Sequence, residues 1–158
     1  MANKLTAFII AGTFSLIFIC AGTSNAQLRK AVSAAETNGT FRNYFEGKSK
    51  GAVNEIKILS TGKGKLRVSF NLIYPDINGG GGGNLGTADG EAVIVGDTAT
   101  FAPADFDQCK ITIKFVRPGQ IKVTQKGNDS ECGFGANVSA SGTYKRVSAA
   151  KPKFKASE

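Results

Sequence analysis

Residues 65–72, KLRVSFNL, decide the fold class. Leu66, Val68, Phe70 and Leu72 fall on one face, and Lys65, Arg67, Ser69 and Asn71 fall on the other. Strict alternation with a period of two is the pattern of a strand with one face buried and one face wet. The same pattern returns in NEIKIL (54–59), KITIKF (110–115) and IKVTQK (121–126). In EAVIVGDTATF (91–101), Gly96-Asp97 separates two strand-like runs as a hairpin turn would. STGKGK (60–65) and RPGQ (117–120) carry turn residues where turn geometry wants them. Adding FRNYFEG (41–47) and a final strand within 134–147 predicts about eight short strands at regular spacing. The expected fold is all-β, an antiparallel β-barrel of about eight strands, with a β-sandwich as the alternative.

Only LRKAVSAAE (28–36) reads as helical, ended by Asn38-Gly39. INGGGGGNLGTADG (77–90) reads as a flexible connection, and SAAKPKFKASE (148–158) as a basic flexible tail. The run Gly79 to Gly83 lacks the Lys-Ser/Thr pair and the following helix that a phosphate loop needs, so it is expected to be a hairpin tip.

The first residues speak to compartment. Lys4 precedes the uncharged apolar stretch AFIIAGTFSLIFICAG, and Ser24-Asn25-Ala26 supplies small residues before Gln27. This predicts a signal peptide over 1–26, a periplasmic or secreted location, and no membrane-spanning segment after cleavage. A lipoprotein signal using Cys20 is the lesser alternative, because bulky Ile19 stands where a small residue is expected. The remaining partition is an N-terminal helical or linker segment over 27–38, a barrel over 39–147 and a tail over 148–158. Cleavage takes one lysine from a formal net charge of +8 and leaves Cys109 and Cys132 as the two cysteines. Two thiols in an exported chain most simply form one disulfide. Closing that loop of roughly 24 residues would stabilise the fold by about 3 kcal/mol in the chain-entropy model. A meander would leave the two cysteines a strand apart, so GNDSE (127–131) is expected to fold over the barrel end and carry Cys132 back to Cys109.

The residue inventory argues for a non-enzymatic binding protein. The chain has no histidine, which removes the commonest general base and every Ser-His or Cys-His pair. Two cysteines without histidine do not make a zinc site, there is no C-x-x-C, and neither metal nor cofactor is expected. The carboxylate pairs Asp105/Asp107 and Asp129/Glu131 sit in short turns, where acidic residues are common anyway. Sequons stand at Asn38, Asn128 and Asn137. If Ile111, Ile113 and Phe115 share the core face with Ile121 and Val123, then Lys110, Lys114, Lys122 and Lys126 gather on the opposite face. Like charges side by side cost stability, so an anionic envelope component is an expected partner for this basic face. Exposed aromatics do not interleave with these lysines, which argues against nucleic acid. A monomer or small homo-oligomer is expected.

The last third also carries a resemblance. An export signal, predicted strands, one disulfide and Ser141-Gly142-Thr143-Tyr144 together resemble the small periplasmic lysozyme inhibitors of bacteria. That family forms eight-stranded antiparallel barrels and inserts a Ser-Gly-x-x-Tyr loop into the lysozyme cleft; this chain is one residue shorter there. The family's Thr-Lys-Gly element is echoed by Thr124-Gln125-Lys126-Gly127, which precedes the first element instead of following it. The chain also resembles exported bacterial proteins ending in Cys-Gly-Phe-Gly and Gly-Thr-Tyr. The first resemblance implies a lysozyme partner contacted through Ser141, Tyr144, Lys145 and Arg146; the plainer reading makes Ser141 and Tyr144 ordinary strand residues, with Tyr144 lining the barrel. A basic chain would meet the strongly basic lysozymes with long-range repulsion, whereas less basic lysozyme types escape that objection. A small ligand held at the barrel mouth is the rival from another class. An interior packed with Leu, Ile and Phe would exclude it.

Overall fold

A computed structural model describes residues 31–76 and 82–154. The expected signal peptide with Cys20, the first residues of the expected helix, Gly79 to Gly81 and the last four residues of the tail lie outside the described residues. The chain forms a closed barrel of eight antiparallel strands, each hydrogen-bonded to the next in sequence, with the last returning to the first. The strands are β1 (Gly39–Tyr44), β2 (Val53–Gly62), β3 (Lys65–Pro75), β4 (Gly83–Val95), β5 (Thr98–Phe101), β6 (Lys110–Arg117), β7 (Gln120–Lys126) and β8 (Gly142–Ser148). Closure leaves no sheet edge open, so the barrel alternative holds and the sandwich does not.

Alternation does the sorting. Leu66, Val68, Phe70 and Leu72 of β3 point inward and meet Ile56 and Ile58 of β2, Ile111 and Ile113 of β6, and Ile121 and Val123 of β7. Phe41 and the tilted pair Phe70 and Phe101, 5.2 Å between ring centres, fill the middle. Interior positions of so small a barrel are filled by side chains, and each large side chain fully removed from water stabilises by about 1.5–3 kcal/mol. The polarity, apolar inside and polar outside, is the reverse of a lipid-embedded barrel. Among the described residues no helix is long and apolar enough to cross a membrane.

Both barrel ends are closed. At one end lies α1 (Ala34–Thr37), much shorter than the helix expected over 28–36. Ser33 and Glu36 form a reciprocal capping box that starts the helix at Ala34, so residues 31–33 stay non-helical. The amide of Val32 donates to the Gly96 carbonyl at 3.2 Å, which ties this segment to the β4–β5 turn. At the other end residues 127–141 form a plug. A single helical turn, Ser130–Cys132, brings Cys132 to Cys109 with a Cα–Cα distance of 4.9 Å, as expected. Gly133 adopts φ +68°, and a Cβ there would come within 2.3 Å of the Phe106 ring. Phe134, Val138 and Ala140 then turn inward as the stopper. The final strand expected within 134–147 runs from Gly142 to Ser148, because the residues before it serve as plug. Gly86 of β4 lets the stopper seat: a Cβ there would meet Val138 and the Phe134 ring at 2.8–2.9 Å.

Two other expectations change. Residues 83–90, expected as loop, belong to β4 and pair residue for residue with β3, from Pro75 opposite Gly83 to Val68 opposite Gly90. Residues 149–154, expected to fray, fold back across the barrel. Lys57 Nζ donates to the Lys153 carbonyl at 3.4 Å, and the Arg67 guanidinium lies 4.6 Å from the centre of the Phe154 ring.

Candidate functional site

Two outer faces of the barrel carry concentrated chemistry. The first lies on β6 and β7. With Ile111, Ile113 and Phe115 inward, Lys110, Thr112 and Lys114 face out; with Ile121 and Val123 inward, Lys122, Thr124 and Lys126 face out. The register places Lys110 opposite Lys126, Thr112 opposite Thr124 and Lys114 opposite Lys122. Directly opposed residues hold their Cβ atoms about 5 Å apart. The two lysine pairs are four residues apart along the strands, about 13 Å. Between them a row of hydroxyls runs from Thr100 through Thr112 to Thr124. Lys114 Nζ reaches an Asp97 carboxylate oxygen at 4.0 Å, whereas Lys110, Lys122 and Lys126 make no ion pair among the described residues.

The residues expected to contact a lysozyme separate. Lys145 is exposed, beside Gln120 of β7 and Arg42 of β1. Ser141 is also exposed, but its hydroxyl oxygen accepts the Gln125 amide at 3.0 Å and so helps anchor the plug to β7. Tyr144 corrects the contact reading and fits the barrel-lining one: it is 0 % exposed, and its phenol donates to the Ala140 carbonyl at 2.9 Å. Its place on the inward phase of β8 makes it a core residue, not a contact. Burial raises its pKa above the ordinary tyrosine range, while a hydrogen bond with Asn54 pulls the other way. Arg146 is likewise engaged inside the molecule, donating from Nη1 to the carbonyls of Ala35 (2.7 Å) and Asn38 (3.4 Å) and so holding α1 to the barrel.

The carboxylate pair of the cysteine loop serves the backbone. Asp129 accepts the Ser130 amide at 2.8 Å and also the Asn137 amide. These bonds, the Asn137 one foremost, hold its carboxyl below its ordinary pKa. Glu131 accepts the Asn128 amide at 2.7 Å. Among the described residues no three Asp, Glu, His or Cys side chains gather as a metal site would require. The sequon side chain of Asn38 accepts the Ser60 amide at 2.6 Å, and that of Asn128 accepts the Glu131 amide at 2.8 Å.

The second face, on β2–β4, was not singled out by the sequence. Two rungs of outward side chains cross it: Glu55, Asn71 and Thr87 in one, Lys57, Ser69 and Asp89 in the next. Arg42 extends the first rung and forms an ion pair with Glu55 at 2.7 Å. With Phe154 these six line a cleft of about 240 Å³. The missing signal was Phe154, an aromatic in an otherwise small, basic tail.

No family model, curated protein or solved structure matches this chain.

Proposed function

We propose that the protein is an exported, non-enzymatic binding barrel whose β6–β7 face engages a phosphate-bearing component of the envelope. One observation carries the reading: two directly opposed lysine pairs about 13 Å apart, three of whose four lysines lack an acidic partner among the described residues. Opposed like charges destabilise a sheet, and an anion lying across them relieves that cost. Ammonium groups bind phosphate as mobile point charges, and the threonines between the pairs offer hydroxyl donors to the same ligand. The filled interior supports binding on the outside of the barrel over binding within it.

The test compares vesicles containing an anionic phospholipid, vesicles of neutral lipid and a soluble phosphorylated oligosaccharide. The expected result is binding to one phosphate source that weakens steeply with salt. The double variant Lys122→Glu/Lys126→Glu should reduce it by about thirtyfold or more, since each lysine near an anionic surface contributes about 1 kcal/mol. Binding that ignores both salt and this variant sinks the reading; which source binds separates a lipid headgroup from a glycan phosphate. Lysozyme inhibition through 139–146 would run through Ser139, Ser141, Thr143 and Lys145, the exposed residues of that stretch. A cell-wall lysis assay against chicken-, goose- and invertebrate-type lysozymes, with Ser141→Ala as control, tests that route.

A further inference from the structure

The geometry points to a second, separate site: the cleft on the outer face of β2–β4 takes one uncharged pyranose unit of a glycan, with Phe154 as its wall. Three neighbouring strands present six polar side chains in two adjacent rungs, Glu55–Asn71–Thr87 and Lys57–Ser69–Asp89. Together they offer carboxylate acceptors, an amide with both donor and acceptor, two hydroxyls and an ammonium donor. A ring of alternating hydroxyl groups needs such a mixed set, since each sugar hydroxyl both donates and accepts.

The side chains of Ser69, Asn71, Thr87 and Asp89 make no hydrogen bond or ion pair with other described residues, so their capacity faces the cleft. This differs from the cysteine loop, where Asp129, Glu131 and Asn128 spend theirs on backbone amides. Charge selects against an anion. Glu55 is bridged by Arg42 at 2.7 Å and lies 3.8 Å from Lys57, while Asp89 adds a carboxylate with no cation paired to it among the described residues. A phosphate entering here would meet that carboxylate; a neutral polyol would not.

The tail turns an ordinary strand surface into a cleft. It is held by the Lys57 Nζ bond to the Lys153 carbonyl and by Arg67 packed on the Phe154 ring. The ring also borders the cleft. An aromatic face carries negative charge density and attracts the polarised C–H groups of a sugar ring. At about 240 Å³ the space falls below the roughly 300–1,000 Å³ of pockets for drug-sized ligands, which suits a single ring with its neighbours in solvent.

The test is amide NMR on the protein with its disulfide formed, titrated with three neutral oligosaccharides: a glucose polymer fragment, a galactose-containing one and an N-acetylhexosamine one. The expected result is saturable binding at a Kd of about 1 mM, with shifts confined to β2–β4, the Asn71 side-chain amide and residues 151–154. Phe154→Ala and Asn71→Ala should each weaken it by about tenfold, and Phe154→Tyr should retain it. Both sites are on the surface, and the spectra themselves report whether each variant is folded. Lys122→Glu/Lys126→Glu should bind these sugars as the parent does, which keeps this site distinct from the lysine face. No shifts with any of the three sugars, shifts on another face, or unchanged binding in Phe154→Ala overturns the inference.

Discussion

The lysine face and the tail-covered face are built from the same material and arranged oppositely. Both lie on strands whose inward residues are mostly apolar and buried, so their outward positions carry little packing duty. On β6–β7 the register sets lysine against lysine; on β1–β4 it sets Arg42 against Glu55, and Lys65 pairs with Glu91 at 2.7 Å. The first arrangement leaves charge uncompensated at a cost in stability, whereas the second cancels charge within the sheet. A barrel tolerates both because its core sets the fold, and the difference marks where an external anion has something to gain.

Several changes would break that comparison, and the largest effects come from removing the scaffold both faces share. Tyr144→Ala should destabilise the fold by about 3–5 kcal/mol, the range for truncating a large buried aromatic. Tyr144→Phe should cost only about 1 kcal/mol, for the hydrogen bond to Ala140. Denaturant melts measure both, and near-equal losses would show that the ring is not in the core. Next, Cys109→Ala/Cys132→Ala should lower stability by about 3 kcal/mol. Hydrogen exchange should localise much of the effect to the plug, because the bridge joins the plug to the start of β6.

Smaller effects sharpen the contrast between the faces. Lys122→Glu should raise stability by about 0.2–1 kcal/mol by placing a carboxylate opposite Lys114, even as it weakens phosphate binding. Opposite signs in the two assays separate a binding surface from a structural one. Phe154→Ala should cost about 0.5 kcal/mol, mostly the contact with Arg67, and should release residues 151–154 to faster exchange. The smallest effect is local and set by acid. The folded state holds the Asp129 carboxyl below its ordinary 3.8. Its contribution is therefore complete above that value and is lost as pH falls through the lowered one. Protection of the amides around Asn137, taken relative to their intrinsic exchange rates, should fall only at pH below the ordinary carboxylate range and should not change there in Asp129→Asn.

The inward half of the molecule was legible in the sequence, because burial imposes a period of two that KLRVSFNL displays without a fault. The β6–β7 register was legible for the same reason: a continuous core leaves the lysines one side to occupy. Residues 83–90 were not, since glycines hide the alternation and only pairing with β3 reveals the strand. For Tyr144 the sequence leaves two readings open, a partner contact or a barrel-lining residue, because a short motif fixes spacing but not phase, and phase decides whether a strand residue points in or out. The β2–β4 cleft was invisible for a different reason. It joins three strands to a tail distant in sequence, and nothing local in SAAKPKFKASE announces a partner for Phe154.

The seam between β1 and β8 has a consequence for timing. Arg146 Nη1 reaches the Asn38 carbonyl across 108 residues of chain, and β1 has β8 as its second neighbour. Until the last strand is available, β1 keeps one row of backbone donors and acceptors unanswered, and contacts of such long range are slow to form. A chain delivered from its N-terminus must wait open, with its hydrophobic lining unsealed, until its final strand arrives. A copy truncated before β8 would leave both β1 and β7 with an open edge.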